Sequence, residues 1–377
     1  MTSHARTRAA AGGVVLGLSA GWNLSDVGAI ADETAAAYGV SLAVVGTFTT
    51  ALFVMHAGMQ IPAGRLADRF GARRIGLAGV LLVALCNGIA LLAPSVPLTI
   101  SMRTLMGVGT AICFVAGSDY VRSQGGTAFS QGIFGAAGVG SGGLALAIVP
   151  QVERLVSWRA AYVTAGTVAL GGAVVLAFGP RDVRVARPAA DAGAGRLWQD
   201  GRLLRLAVIH AASFGLSVLI GNWVVTLLER AGGLSSGVAG AVGSLTLLLG
   251  IATRPLGGWL VRTRPEWSRA LVAGSFVAGA VGTALLVAGE PLALMVLAAS
   301  IVGLAAGIPF AYVFSETVQV RPDAPAAAIG FVNMLPAALI LVGTPLVGLS
   351  FSAPGDGRIG FAVLVALWLA ALAAVRR

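Results

Sequence analysis

Long, nearly uncharged stretches alternate along the chain with short connectors that hold most of the polar residues. The apolar runs fall near 9–31, 42–63, 75–93, 98–118, 127–149 and 159–179, then near 206–228, 238–260, 270–288, 291–314, 326–349 and 359–375. A bilayer core about 30 Å thick takes roughly 20 apolar residues of helix to cross. The runs are continuous and rich in Leu, Val, Ala and Gly, without the alternation that barrel strands require. The pattern therefore predicts an all-α membrane protein with twelve transmembrane helices, one of the two architectures a bilayer allows.

Between the sixth and seventh runs, over 180–205, the composition changes to Pro, Gly, Ala and Arg with Asp182, Asp191 and Asp200. Such a segment is too polar to span and too poor in large apolar residues to fold alone. It reads as a linker between a six-helix half at 1–179 and a second at 206–377. Arg6 and Arg8 precede the first run, and Ala29-Ile30-Ala31 resembles a signal-peptidase site. That run is long enough to span and contains Asn23 and Asp26, so it is expected to remain as the first helix.

Composition strengthens this reading. Charged residues are 11% of the chain and hydrophobic ones 57%, against about 25% charged in a soluble domain. The mean hydropathy is +0.89. All 25 basic residues are arginine, and the net charge is +10. Nineteen arginines fall on one side of the twelve-span arrangement, including both termini and the linker; four fall on the other, at 154, 159, 230 and 358. Positive loops stay cytoplasmic, so both termini are expected inside a plasma (inner) membrane, and nucleic acid is excluded as a partner. Cys86 and Cys113 lie within apolar runs and read as small core residues. No metal-ligand spacing, nucleophile elbow or phosphate loop occurs, which argues against an enzyme, a cofactor or a metal.

The stretch Gly64-Arg65-Leu66-Ala67-Asp68-Arg69-Phe70-Gly71-Ala72-Arg73-Arg74 concentrates charge between the second and third runs. A weak repeat sets Gln60–Asp68 against Arg254–Arg262 at the same place in the second half. At these residues the chain resembles the major facilitator superfamily, whose signature G-x-L-x-D-R-x-G-R-R is met by Gly64, Leu66, Asp68, Arg69, Gly71, Arg73 and Arg74. A second signature of that family, R-x-x-x-G-x-G-x-A, resembles Arg103, Gly107, Gly109 and Ala111. The resemblance implies two pseudo-symmetric halves rocking about a midplane site. It also implies a cytoplasmic gate in which Asp68 meets the start of the eleventh helix. Independently of family, Gly64 and Gly71 permit a tight turn, and Arg69, Arg73 or Arg74 can pair with Asp119. The second-half copy is degraded, with Arg262 where the family often has Asp.

Ionisable groups at membrane depth are functional candidates by default. They are Asp26, His56, Arg103, His210 and Arg254, with Gln60, Asn23 and Asn222 as uncharged partners. Arg254 is the best anion-binding candidate, because a guanidinium presents a planar fork of donors to an oxyanion. Gln60, Asn23 and Asn222 are expected to share the substrate with it. Asp26, His56 and Arg103 are candidates for proton coupling; Arg103 is equally read as a partner of Asp26. His210, near the start of its run, is expected at the interface.

The fifth run carries Gly132, Gly135, Gly138, Gly140, Gly142 and Gly143, a small-residue face for close helix contact. It resembles two families in part. Val139 replaces the proline of the drug-antiporter motif G-P-x-x-G-G. Gln124-Gly125-Gly126-Thr127-Ala128 resembles, with one residue inserted, the Q-G-T-A entry to the fifth helix of nitrate and nitrite porters. Those porters also carry arginines on the second and eighth helices; Arg254 fits the eighth, and Gln60 stands at the other place. The expectation is a monomeric secondary transporter of a small anion, first nitrate or nitrite, with H+ as a possible coupling ion. The alternative is proton-coupled efflux of a drug or metabolite.

Overall fold

The computed structural model describes residues 3–123, 128–180, 197, 199–320 and 325–376. For 3–10, 61, 64, 65, 68, 69, 122, 123, 128–132, 311, 318, 325–327, 329, 330 and 376 only the backbone is described. Among the described residues nine helical segments are long and apolar enough to cross a membrane, or ten with the bent first helix. One of them, Ile133–Ala177, has 45 residues, about 68 Å of helix and more than twice a bilayer core. The short 3-10 turn Ser157–Arg159 divides it. The shorter apolar helix Leu42–Gly58 supplies one more rod.

We number the twelve rods so obtained. They are α1 (Ser3–Ser25, continued by Ala31–Tyr38), α2 (Leu42–Gly58 and Gln60–Phe70), α3 (Ala72–Ala90), α4 (Val96–Ser123), α5 (Ala128–Val156) and α6 (Ala160–Ala177). The second half has α7 (Gly201–His210 and Leu216–Arg230), α8 (Ser236–Leu248 and Gly250–Thr263), α9 (Ser268–Ala288), α10 (Leu292–Gly307 and Pro309–Val320), α11 (Pro325–Ser350) and α12 (Arg358–Ala370 and Leu372–Arg376).

The helices outlast the apolar runs. The hydrophobic pattern reports the part of a helix inside hydrocarbon, whereas backbone hydrogen bonding continues into the interface wherever good helix formers such as Arg, Leu and Ala follow. The charged signature is consequently helix rather than connector: α2 runs to Phe70, and Gly71 alone turns the chain into α3. Gly71 has φ +95° and ψ 141°, a conformation nearly closed to residues with a Cβ. Likewise α7 starts at Gly201, not near 206, because the Asp200 carboxylate caps it by accepting from Arg202 N–H at 2.9 Å. Residues 181–196, the body of the expected linker, lie outside the described residues.

Within the first half α1 packs on α4, α5 and α6, and α3 on α4 and α6; within the second, α9 packs on α10 and α12, and α7 on α8 and α11. Three seams join the halves, α2 against α11, α5 against α8, and the bent end of α1 against α7. Glycines let backbones touch there. A Cβ on Gly143 would stand 2.6 Å from Leu248 N, and one on Gly240 2.6 Å from the Leu146 carbonyl oxygen. The glycine face of α5 also receives α1, where a Cβ on Gly21 would stand 1.7 Å from the Gly138 oxygen.

Candidate functional site

The two arginines inside spans have opposite circumstances. Arg103 on α4 is fully buried and faces Asp26, where α1 bends by 43°. Its Nη2 donates to Asp26 Oδ1 at 2.9 Å and its Nη1 to Oδ2 at 3.2 Å, while Oδ1 also accepts Val27 N–H at 2.8 Å. The bend frees that amide, and the carboxylate satisfies both it and the guanidinium. A buried charge is tolerated when paired in this way. Of the two roles open to Arg103, pairing with Asp26 is the one realised in this conformation.

Arg254 on α8 is 7% exposed. Its Nη1 donates to the Gly135 carbonyl of α5 at 3.0 Å. The guanidinium carbon lies 4.1 Å from the ring centre of Phe310 and 5.8 Å from that of Phe214. Its Nε has no acceptor, and no carboxylate pairs with it among the described residues. The ring faces attract the cation without neutralising it.

Across the α5 seam, His56 and Gln60 sit one turn apart on either side of the break in α2 at Met59. The Thr110 hydroxyl donates to the Gly107 carbonyl at 3.1 Å, so its oxygen accepts from His56 Nδ1–H at 3.0 Å. His56 Nε2 then accepts from the Gln60 amide at 3.0 Å. These assignments make the imidazole neutral. Ring contacts continue from His56 to Phe114 at 6.3 Å and from Phe114 to Phe134 at 5.6 Å. Phe134 is the neighbour of Gly135, so a belt of polar and aromatic groups runs from Gln60 to Arg254 through α4 and α5.

His210 is 1% exposed, and α7 starts at Gly201, nine residues before it. It stacks on Phe214 with centroids 5.5 Å apart and also meets Phe310 and Phe314. His210 Nε2–H donates to Asn333 Oδ1 of α11 at 2.8 Å.

The other expected substrate partners lie elsewhere. Asn23 donates to the Ser19 carbonyl at 2.8 Å and accepts from Asn87 at 3.1 Å, an engagement within the first half. Asn222 on α7 is buried, its backbone lies against Gly28, and neither end of its amide meets a partner. In the charged signature, Arg73 donates to the Leu176 carbonyl at 2.9 Å and to the Ala177 carbonyl, closing the C-terminus of α6. Arg74 is exposed and Asp119 half-buried. The expected contacts of Gly64, Asp68 and Arg69 fall on side chains outside the described residues. Asn87, Thr110, Asn333 and the phenylalanines were not singled out from sequence. A lone Asn in the apolar run at 75–93 was a usable signal; phenylalanines in a membrane helix carry none.

The opposite end of the molecule is fastened by Arg230, at the end of α7, which pairs with Asp32 through Nε at 3.1 Å and through Nη2. Gln151 of α5 donates to the Gly237 carbonyl of α8 at 3.1 Å beside it.

A bundle of apolar, membrane-length helices with charge buried at Asp26, Arg103 and Arg254 is the architecture of a membrane transporter. The chain belongs to the Major Facilitator Superfamily, whose family model matches residues 13–344; it is a multi-pass membrane protein and not an enzyme. It is similar, at 30% identity over 93% of this chain and 90% of the relative, to the probable nitrate/nitrite transporter NarK2 of Mycobacterium tuberculosis (strain CDC 1551 / Oshkosh). It is also similar to the puromycin resistance protein pur8 of Streptomyces alboniger, at 27% over 75% of this chain and 69% of that protein. The crystal structure of a mutant of the nucleoside transporter NupG shares the fold, with a TM-score of 0.78 at 13% identity, covering 98% of this chain and 99% of that one.

Proposed function

We propose that this transporter moves a small monovalent oxyanion, nitrate or nitrite first, by alternating access, with Arg254 as its principal ligand. The observation that carries the reading is the buried guanidinium, which meets no carboxylate among the described residues. A charge taken out of water is costly unless compensated, and a passing anion compensates it where a permanent carboxylate, as at Arg103, would exclude it. One of the five N–H donors of Arg254 is used on Gly135, and the remainder suit a planar oxyanion. The similarity to NarK2 supports the substrate class.

In this reading Gln60 contributes from α2 across the seam and Asn222 from α7, and both termini face the cytoplasm of an inner membrane. The signature at the end of α2 acts as the inner gate and the Asp32–Arg230 pair as the outer one. The unit is the monomer, with halves at 1–179 and 206–377.

A second reading is proton-coupled export of a drug or metabolite. The similarity to the puromycin resistance protein supports it, and so does the aromatic group formed by Phe214, Phe310 and Phe314. Uptake of nitrate, nitrite and cyanate beside a cationic dye into proteoliposomes separates the two. If no anion moves, or if Arg254→Gln leaves anion transport intact, the first reading fails.

A further inference from the structure

We infer that His210 is the proton site of this transporter and that it is linked to the anion through Arg254, so that one proton travels with each anion. This rests on the anion reading above and adds the coupling ion and the residue that holds it.

The geometry is specific. Arg254 and His210 lie against the same two rings: Phe310 is 4.1 Å from the guanidinium and 6.0 Å from the imidazole, and Phe214 is 5.8 Å and 5.5 Å away. The two groups are therefore no more than about 10 Å apart, a separation at which charges in a protein interior still interact. His210 Nε2–H is committed to Asn333, which leaves Nδ1 as the basic nitrogen. That Nδ1 is buried and meets no partner among the described residues. The bare Nδ1 lone pair thus belongs to a ring that shares its aromatic neighbours with the guanidinium. When an anion neutralises Arg254, the same nitrogen becomes a favourable place for a proton, and its new N–H is a donor near the anion.

Coupling of this kind is reciprocal: a protonated His210 raises anion affinity by the factor by which the anion raises proton affinity. The proton adds to the Nδ1 lone pair from water on one side and leaves to water on the other, so charge balances at one H+ per monovalent anion.

The groups around His210 permit this assignment. From α8, Arg254 shares the Phe214 and Phe310 rings with it. The helix α11 contributes Asn333 and no titratable group, and the inner part of α10 carries Tyr312 and Glu316. On α7 itself Arg202 and Arg205 lie toward its start, and the side chain of Arg376 on α12 is outside the described residues. His56, the other histidine in a span, has both ring nitrogens engaged, which leaves it no bare lone pair.

The test uses the full chain in proteoliposomes with a pH dye inside and nitrate as the probe. Nitrate uptake should acidify the lumen at one proton per anion, be driven by an inward proton gradient, and be indifferent to an imposed membrane potential. His210→Gln should abolish gradient-driven accumulation and flatten the pH dependence of KM while keeping measurable nitrate–nitrate exchange. Asn333→Asp, which places a carboxylate on Nε2–H, should move the pH midpoint of KM upward by about one unit. Nitrate uptake without proton flux in the unaltered protein overturns the inference whatever the variants do. So does undiminished gradient-driven accumulation in His210→Gln, or an unmoved midpoint in Asn333→Asp. If the protein carries the cationic dye and no anion, the anion reading has failed and takes this inference with it. Uncoupled nitrate uptake refutes His210 alone.

Discussion

Arg254 of α8 donates its Nη1–H to the carbonyl of Gly135 on α5, a 3.0 Å bond that joins the two halves at the seam between them. A side chain proposed to bind substrate is thus also a tie across the surface on which the proposed cycle turns. An anion that takes over those donors competes with the tie, which links binding to rearrangement in one residue.

Removing that guanidinium should be severe. A hydrogen bond to a charged group contributes about 1.5–3 kcal/mol, and an oxyanion accepts two. Arg254→Gln should lower kcat/KM for nitrate by at least about 100-fold, each 1.4 kcal/mol being tenfold. Arg254→Lys, which keeps the charge and loses the fork, should fall between. Initial uptake rates in proteoliposomes measure both.

The Asp26–Arg103 pair gives the opposite result in stability. Leaving one buried charge without its partner costs about 3–5 kcal/mol, so Asp26→Asn and Arg103→Gln alone should each strongly lower the melting temperature in detergent. The double variant should recover much of the loss. A double loss equal to the sum of the singles would show that the pair does not act as a unit.

Asp32 and Arg230 are a third exposed, at 34% and 37%, and an exposed pair is worth about 1 kcal/mol or less. Asp32→Asn should therefore bias the conformational equilibrium by no more than about fivefold. Labelling of a cysteine at Ser25 by an impermeant maleimide should rise by that factor, and the charge-swapped pair Asp32→Arg with Arg230→Asp should restore it. Unchanged labelling would remove the pair from the outer gate.

Gly21 and Gly58 test the packing. A Cβ at Gly21 meets the Gly138 oxygen, whereas one at Gly58 meets nothing within 4 Å. Gly21→Ala should destabilise by about 1–3 kcal/mol or more through separation of α1 from α5, and Gly58→Ala should leave thermal stability unchanged. Fluorescence-detected melting distinguishes them.

The sequence carried the rods and the family, because an uncharged run long enough to span has few alternatives in lipid. The pairing of Arg103 with Asp26 was legible as one of two options, since opposite charges at similar depth have a strong reason to meet. The burial of His210 was not legible, because the run at 206–228 marks where hydrophobicity begins, and the helix begins at the Asp200 cap. The charged signature reads as a connector for the same reason, since α2 continues past the end of its apolar run. The ring group of Phe214, Phe310 and Phe314 was illegible, because its members become neighbours only when α7 and α10 pack together. Orphaned atoms such as those of Asn222 cannot be recognised before the packing that isolates them is known.

The glycine contacts between α5 and α8 seat side chains as well as backbone: Ile251 lies in the notch at Gly140, Leu247 at Gly142 and Val139 at Gly250. Sliding one helix along the other has to lift those side chains from their notches, so the seam favours discrete positions over a continuum. Substitutions there should therefore be read in turnover and in the balance between inward and outward forms, while affinity stays with Arg254. A seam of this kind sets the pace of a transport cycle as a detent does, by the steps it imposes.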